Sequence, residues 1–416
     1  MRTVEEHQDA VRALLAPLAA RQPETVSFLS PADLMPLGAD RVLAHDLVSL
    51  VDLPPFDNSQ MDGYAVRSVD LVAGEPLRVA RRIVAGHAAP PLEPGSAAPI
   101  MTGALMPPGA DAVIPIEQAT PDFFPPDAGG QVVSFSDPVA AGTFVRSMGS
   151  DLRAGELLLP AGSGLGPAQW GVIAASGASE IPLVSRIRVV VISTGDELRS
   201  PGVPLEAGQI HDSNGASMAA AIVDAGATCL AAFTAPDDAG VLRDLLTRHI
   251  GDADLILTTG GVSKGTREVV RDVFEQSVDF VSVAMQPGGP QGLGTVSMTD
   301  AAGIPVARPV VAFPGNPVSA LVSFEVFLRP VLRELHGLPA DRQHLRLPLA
   351  ATVDSPGGKH QVRRGALDAD GRVVLIGGSS SHLLHGYASS TLLVHLPVGV
   401  SRFDAGDLVD VWRIHD

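Results

Sequence analysis

The chain has a single cysteine, Cys229, so it can build neither a disulfide framework nor a cysteine-rich zinc site. Cations are also in short supply. Lys and Arg total 29 against 46 Asp and Glu, and the resulting net charge of −17 disfavours nucleic acid, whose phosphates require clustered Lys and Arg. Aromatic residues are only 4% of the total. No apolar run approaches a membrane span, and residues 1–22 are charged and helical in pattern, without the apolar core of a signal peptide. A cytoplasmic protein without membrane or nucleic-acid partners is expected. What is abundant is Gly (43) and Pro (35), the mark of many turns and short strands, set in a chain that is 45% hydrophobic. At 416 residues it exceeds a single core, which suggests roughly two to four domains.

Two stretches organise the rest. In Asp254-Leu255-Ile256-Leu257-Thr258-Thr259-Gly260-Gly261-Val262-Ser263-Lys264-Gly265 an apolar, β-branched run suits a buried parallel strand, and residues 266–276 then read as a helix. The glycines permit a tight turn and close backbone approach to a ligand. A helix start beyond such a turn offers N–H groups to an anion, a phosphate or another oxyanion, although a plain βα turn has the same sequence signature. Val310-Val311-Ala312-Phe313-Pro314-Gly315-Asn316-Pro317-Val318-Ser319-Ala320 repeats the plan, with Asn316 suited to an N-cap, Pro317 to the first helical turn and a helix over 320–335. Both turns would lie at the carboxyl edge of one sheet, where open α/β sheets bind ligands.

In chain order, the pattern predicts helices over 4–20 and 38–48, with a proline-broken connector between them. A proline-led loop follows, Leu53-Pro54-Pro55-Phe56-Asp57-Asn58-Ser59-Gln60-Met61-Asp62-Gly63-Tyr64-Ala65-Val66. Its Pro, Asn and Gly suit a structural loop, while its two carboxylates suit a hard cation or a general base. Short apolar runs between Gly and Pro over 77–133 predict a small β domain. Strand–helix alternation from 188 to 335 predicts a three-layer α/β domain, and short strands over 345–353, 373–376, 391–396 and 408–414 predict a small C-terminal β domain, such as a barrel. His382 and His385, three apart on a Ser-rich loop, read as solvated. The fold class is α/β plus β. Its expected domains are an extended linker (23–48 and 141–178), a β-rich domain (49–140), the central α/β domain (1–22 and 179–335) and the C-terminal β domain (336–416).

Four stretches carry a resemblance over nearly the whole length: Phe56 to Val66 above, Ser193-Thr194-Gly195-Asp196-Glu197-Leu198, Thr259-Gly260-Gly261-Val262-Ser263 and Pro314-Gly315-Asn316-Pro317-Val318-Ser319. In these the chain resembles the MoeA family of molybdopterin molybdenumtransferases, which includes the E domain of gephyrin. The resemblance implies insertion of molybdate into the dithiolene of adenylylated molybdopterin with release of AMP, dependent on Mg²⁺. It implies a homodimer whose site is shared between the α/β domain of one subunit and the second domain of the other. A molybdopterin adenylyltransferase and acceptor molybdoenzymes are implied as further partners.

Carried over position by position, the resemblance assigns Asp62, Glu197, Asp237 and Glu268 to catalysis, with Asp62, Glu197 and Asp237 also as metal ligands. It assigns Thr102, Ser193, Thr194, Gly195, Asp196, Gly260, Gly261, Ser263, Gly265, Pro314, Gly315, Asn316, Pro317 and Ser319 to the pterin nucleotide. Arg364 and Ser381 would contact the oxyanion. Carboxylates suit this chemistry because Mg²⁺ takes oxygen ligands and bridges phosphates. Two departures stand out. Glu268 replaces an aspartate, and a turn often written Lys-Pro-Gly-Lys-Pro reads Met285-Gln286-Pro287-Gly288-Gly289-Pro290, leaving Lys264, Lys359, Arg363 and Arg364 as substitute cations. Two other readings share these features: an adenylyltransferase acting on molybdopterin and a non-catalytic, gephyrin-like scaffold.

Overall fold

A computed structural model describes residues 1–37, 40–126, 129–263 and 268–414. They form two compact units, one of Met1–Glu24, Ala39–Val42 and Val184–Asp416, the other of Thr25–Gly38 and Leu43–Leu183.

The first unit is built on a six-stranded sheet. The strand Arg188–Thr194 lies between Thr228–Ala235 and Leu255–Thr259, and the order continues through Pro305–Phe313, Pro290–Thr299 and Val278–Ser282. The first four are mutually parallel, and the last two join antiparallel at one edge. Alternation along each strand splits the apolar side chains between two faces. Val189, Val191, Leu255, Leu257, Val311 and Phe313 enter one core, while Val190, Ile192, Ile256, Val310 and Ala312 enter the other. Helices cover both faces, giving the three layers that near-continuous Val/Ile/Leu strands require. Each buried aliphatic side chain contributes about 1.5–3 kcal/mol relative to exposure.

Helix ends follow the sequence closely. Thr3 and Glu6 form a reciprocal capping box ahead of Val4–Leu15, and Asp212 and Asp238 cap Ser213–Asp224 and Ala239–His249. The expected helix over 4–20 tightens to a 3₁₀ turn at Ala16–Ala20, which contains Pro17. The helix expected over 320–335 is three pieces in succession: Pro317–Ser323, a π turn at Phe324–Leu328, and Arg329–Leu335. Pro330 supplies no N–H, and its ring would strike the carbonyl of Val326 in a regular helix, so the rod widens just before it.

The C-terminal strands His360–Leu367, Leu392–Leu396, Leu408–Arg413 and His344–Pro348 pair in that order, and Val373–Leu375 joins the other edge of His360–Leu367. A bridge between Leu349 and Val373 closes the ring into a small barrel around Leu349, Val373, Leu392, Val394, Val409 and Val411. Sequence periodicity missed its longest strand, His360–Leu367, because Arg363, Arg364 and Gly365 interrupt the alternation. Met285–Gln286 pairs in parallel with His360 and Gln361, and Val362, Leu393 and Tyr387 enter the core of the α/β sheet. The barrel is thereby fixed to the sheet.

The second unit contains a six-stranded sheet ordered Ala112–Pro115, Gly63–Val66, Ser96–Ile100, Pro76–Val79, Val132–Phe135 and Ala119–Thr120, with buried apolar clusters on its two faces. The helix expected over 38–48 does not form. Residues 38 and 39 lie outside the described residues, Leu43 bridges to Leu183, and Leu47–Val48 pairs with Leu157–Leu159. Burial of Leu43 against Ile173, Ile181 and Leu183 outweighs the local helix propensity. Among the described residues no helix is long and apolar enough to cross a membrane.

Gly260 joins the central strand ends at close quarters. Its φ is +93°, and an added Cβ would sit 2.6 Å from the Thr194 carbonyl oxygen. Gly303 has a comparable φ of +82° with nothing within 4 Å. Gly260→Ala is expected to cost roughly 2–5 kcal/mol, from left-handed strain plus overpacking, and Gly303→Ala only the strain, about 1–2 kcal/mol. Calorimetric melting of both variants checks this, and equal losses would show that contact with Thr194 is not what demands glycine.

Candidate functional site

The parallel strands end in register. Ser193 pairs with Thr234 and Thr259, and Thr259 with Phe313, so the turns that follow open on the same edge. There they border a cleft of 1150 Å³ whose other wall comes from the C-terminal barrel. Of the expected residues, Thr194, Gly195, Glu197, Asp237, Gly260, Gly261, Ser263, Glu268, Pro314, Gly315, Asn316, Pro317, Ser319 and Ser381 all line it.

The sheet side of the cleft is acidic. Glu197 folds its carboxylate back over Gly195, where a Cβ would meet it at 2.6 Å. Asp196 Oδ1 accepts the Asp237 N–H at 3.0 Å, and Glu268 Oε2 accepts the Ser263 N–H at 3.2 Å. Burial first, and then the charges of Asp196, Glu197 and Glu268, push the Asp237 carboxyl above its ordinary range, against one backbone hydrogen bond that lowers it. Asn214 binds the carbonyl of Gly315 at 2.7 Å, tying the helix after Asp212 to the Pro-Gly-Asn-Pro turn.

The glycines also answer to packing within the protein. A Cβ on Gly261 would lie 2.9 Å from Val270, and one on Gly315 would lie 3.3 Å from the Cα of Gly260. With the Gly260–Thr194 contact, these are demands of protein packing before any ligand arrives. The helix starts differ from the expectation. The first helix begins only at Val269, and residues 264–267, with Lys264 and Gly265, lie outside the described residues. Asn316 does hold the N-cap position before Pro317 but makes no capping bond; the carbonyl of Ser381 accepts the Val318 N–H at 3.1 Å instead.

That bond anchors the barrel loop 379–382, which carries the residues sequence reasoning missed. Ser380 and His382 line the cleft, with Ser380 Oγ 3.0 Å from His382 Nδ1. Lys359 lines it too, the one Lys or Arg side chain that does so among the described residues, in a chain with two lysines. Gln286 is also in the wall and accepts from Gln361 at 2.9 Å. The sequence leaves Lys359 as one of four substitute cations and reads His382 as solvated; barrel closure and docking bring both to this cleft.

Several expected residues lie elsewhere. Ser193 is buried, its Oγ accepting the Thr259 hydroxyl at 3.1 Å, and Asp196 backs Asp237 without lining the cleft. Arg364 is not in the cleft wall. It is fully buried, donates to the Gly378 carbonyl, and leaves Nε and Nη1 without an acceptor. Arg363 donates to the Gly377 carbonyl at 3.2 Å, so the two arginines brace the turn leading into 379–382. Asp62 and Thr102 belong to the second unit, exposed and joined: the Thr102 N–H and hydroxyl donate to Asp62 Oδ1 at 2.6 and 2.8 Å. These bonds, the backbone one foremost, hold the Asp62 carboxyl below its ordinary range. Among the described residues no three His, Cys, Asp or Glu side chains gather tightly enough to hold a metal by themselves.

Comparison with known proteins agrees with this architecture. Residues 2–177 match the MoeA N-terminal region (domain I and II), 190–334 a probable molybdopterin binding domain, and 346–414 the MoeA C-terminal region (domain IV). Molybdopterin molybdenumtransferase 2 of Mycobacterium tuberculosis (strain ATCC 25618 / H37Rv) is 44% identical over 430 residues, covering 100% of both chains. The molybdopterin molybdenumtransferase of Haemophilus influenzae is 31% identical over 90% of this chain and 91% of its own. The crystal structure of a molybdopterin biosynthesis MoeA protein from Pyrococcus horikoshii matches with a TM-score of 0.74 and 28% identity, covering 98% of this chain and 99% of that one. With three family regions in order and identity running end to end, the chain belongs to the MoeA family.

Proposed function

We propose that this chain, with a role in molybdenum cofactor biosynthesis, inserts molybdate into adenylylated molybdopterin and releases AMP. The observation that carries the reading is one cleft that holds Glu197, Asp237 and Glu268 together with Lys359 and the serines of 379–381. A phosphoanhydride with its metal suits the carboxylates, and an oxyanion suits the cation and hydroxyls. Relatives named molybdopterin molybdenumtransferase favour this over an adenylyltransferase or a scaffold. A cytoplasmic location is part of the reading, supported by the scarcity of cysteine.

The donor set fits Mg²⁺. Burial first, and then the neighbouring carboxylates, raise the Asp237 carboxyl, and a divalent cation would favour its charged form. Mg²⁺ needs only one or two carboxylates when phosphates and waters complete its shell, so the lack of a three-ligand cluster among the described residues is no obstacle. Glu197 and Asp237 would hold it here, and it would neutralise charge growing on AMP as that group leaves. Ser381 and Lys359 would meet the oxyanion, with Arg364 acting from behind through the 377–378 turn. Asp62 would complete the site from a second copy of the chain, in a homodimer; exposed Phe56 and Met101, next to Asp57 and Thr102, support a partner-facing surface. A molybdopterin adenylyltransferase and acceptor apoenzymes would be the further partners.

The purified chain with adenylylated molybdopterin and Mg²⁺ should release AMP only when molybdate is added. No release would defeat the reading, and pyrophosphate from molybdopterin plus ATP would assign an adenylyltransferase. In the same assay Lys359→Ala should raise the half-saturating molybdate concentration about tenfold to a hundredfold, the loss of one charge-assisted contact of roughly 1.5–3 kcal/mol. An unchanged value would remove Lys359 from the oxyanion site.

Asp237 also has a thermal signature. A carboxyl raised by folding contributes stability while protonated, below its unfolded value, and loses that contribution as pH rises through its folded value. At neutral pH Asp237→Asn should therefore melt above wild type, and Mg²⁺ should stabilise wild type more than the variant. Equal Mg²⁺ responses would exclude Asp237 as a ligand. Finally, inactive Asp62→Ala and Glu197→Ala chains, unfolded and refolded together, should regain activity approaching a quarter of the wild-type value, as random pairing leaves some sites intact (about one in four). Hybrids that form without activity would sink the shared site.

A further inference from the structure

We infer that His382 is the proton-transfer residue of the insertion step, positioned by Ser380. The inference rests on the molybdate reading above and starts from its atom balance. When the dithiolene enters as two thiols, two S–H and two Mo–S bonds exchange: both S–H bonds break, two Mo–S bonds form, and one Mo–O bond breaks. The two thiol protons leave with that oxygen as water, and molybdenum stays hexavalent, so no oxidant or reductant is consumed. A bare oxide is a poor leaving group in water; the step needs a group that accepts a thiol proton and delivers it to the departing oxygen.

Glu197, Asp237 and Glu268 line the sheet side of the cleft, where the reading above gives them to the phosphoanhydride and its metal, so the acid–base group is sought elsewhere in the lining. Asp212 has one carboxylate oxygen on the Gly215 N–H and the other on the Thr234 hydroxyl, both at 2.9 Å. His211 sits on the short strand Ile210–His211 beside the acidic turn, its Nδ1 3.2 Å from the Ser200 carbonyl. His382 instead shares its loop with Ser381, on the barrel wall that carries Lys359. The 3.0 Å contact between Ser380 Oγ and His382 Nδ1 sets the ring's orientation and occupies one nitrogen, leaving Nε2 available to the cleft. The Val318 N–H, bound to the Ser381 carbonyl, keeps the loop against the Pro-Gly-Asn-Pro turn. One imidazole nitrogen can then serve as base toward the thiol and as acid toward the oxygen, as a histidine does between nucleophile and leaving group in acyl transfer.

The test follows molybdate-dependent consumption of the pterin's thiols by the full-length protein, over a range of molybdate concentrations at saturating adenylylated molybdopterin. His382→Ala should lower kcat by about 10²–10⁴-fold with KM for molybdate nearly unchanged, and added imidazole should restore part of the rate. Ser380→Ala should show a smaller loss, and Ser380→Thr, which keeps the hydroxyl, should stay near wild type. Thermal unfolding of each variant, expected to match wild type because His382 and Ser380 are exposed, separates chemistry from folding. Wild-type rates in His382→Ala, a loss confined to KM, or a loss that imidazole does not restore would each overturn the assignment. A wild-type protein that consumes no thiols would instead overturn the molybdate reading itself.

Discussion

The site depends on how closely three strand ends approach one another. Gly260 lies against the carbonyl of Thr194, Gly315 lies against Gly260, and Gly261 lies against Val270. The contacts at Gly260 and Gly261 leave no room for a side chain and that at Gly315 is tight, and Gly260 and Gly261 also adopt left-handed backbone conformations that other residues strain to reach. With the strands parallel and in register, this packing fixes where each following turn begins. Glu197, Asp237 and Asn316 are thereby delivered to one edge by separate segments of chain. The glycines thus shape the cleft through protein–protein contact, and any ligand meets a floor that is already closed.

The second constraint is charge. Carboxylates gather on the sheet side of the cleft, and burial, followed by the charges of its neighbours, holds the Asp237 carboxyl above its ordinary range. A strongly acidic chain must nonetheless hold an oxyanion in the proposed reaction, and the turn at Gln286 and Gly289 offers it no positive charge. The barrel supplies the deficit. Its parallel pairing with Met285–Gln286 and its shared core with the sheet bring Lys359, Ser380 and His382 to the opposite side of the same ligand space. Buried Arg363 and Arg364 spend their hydrogen bonds on the carbonyls behind that loop.

By itself the sequence determined the elements whose signals are local: the parallel strands with their uninterrupted β-branched runs, the helix caps at Thr3, Asp212 and Asp238, and the turns marked by Gly and Pro. It also determined the family, because four motifs in order carry chemistry in their residue types. Where tertiary packing competes with local preference, it was a poor guide. The helix expected over 38–48 yielded to strand pairing, and His360–Leu367 was hidden by arginines that are buried rather than solvated. Only the tertiary structure decided which cations reach the cleft. Lys359 and Arg364 lie five residues apart, one just before the strand His360–Leu367 and the other within it, and nothing in their spacing tells which one faces the ligand space. The barrel's closure turns Arg364 inward and leaves Lys359 on the wall, and the docking of loop 379–382 on Val318 converts a histidine that reads as solvent-exposed into part of the site. Such placements arise from contacts between segments far apart in sequence, which no local periodicity encodes.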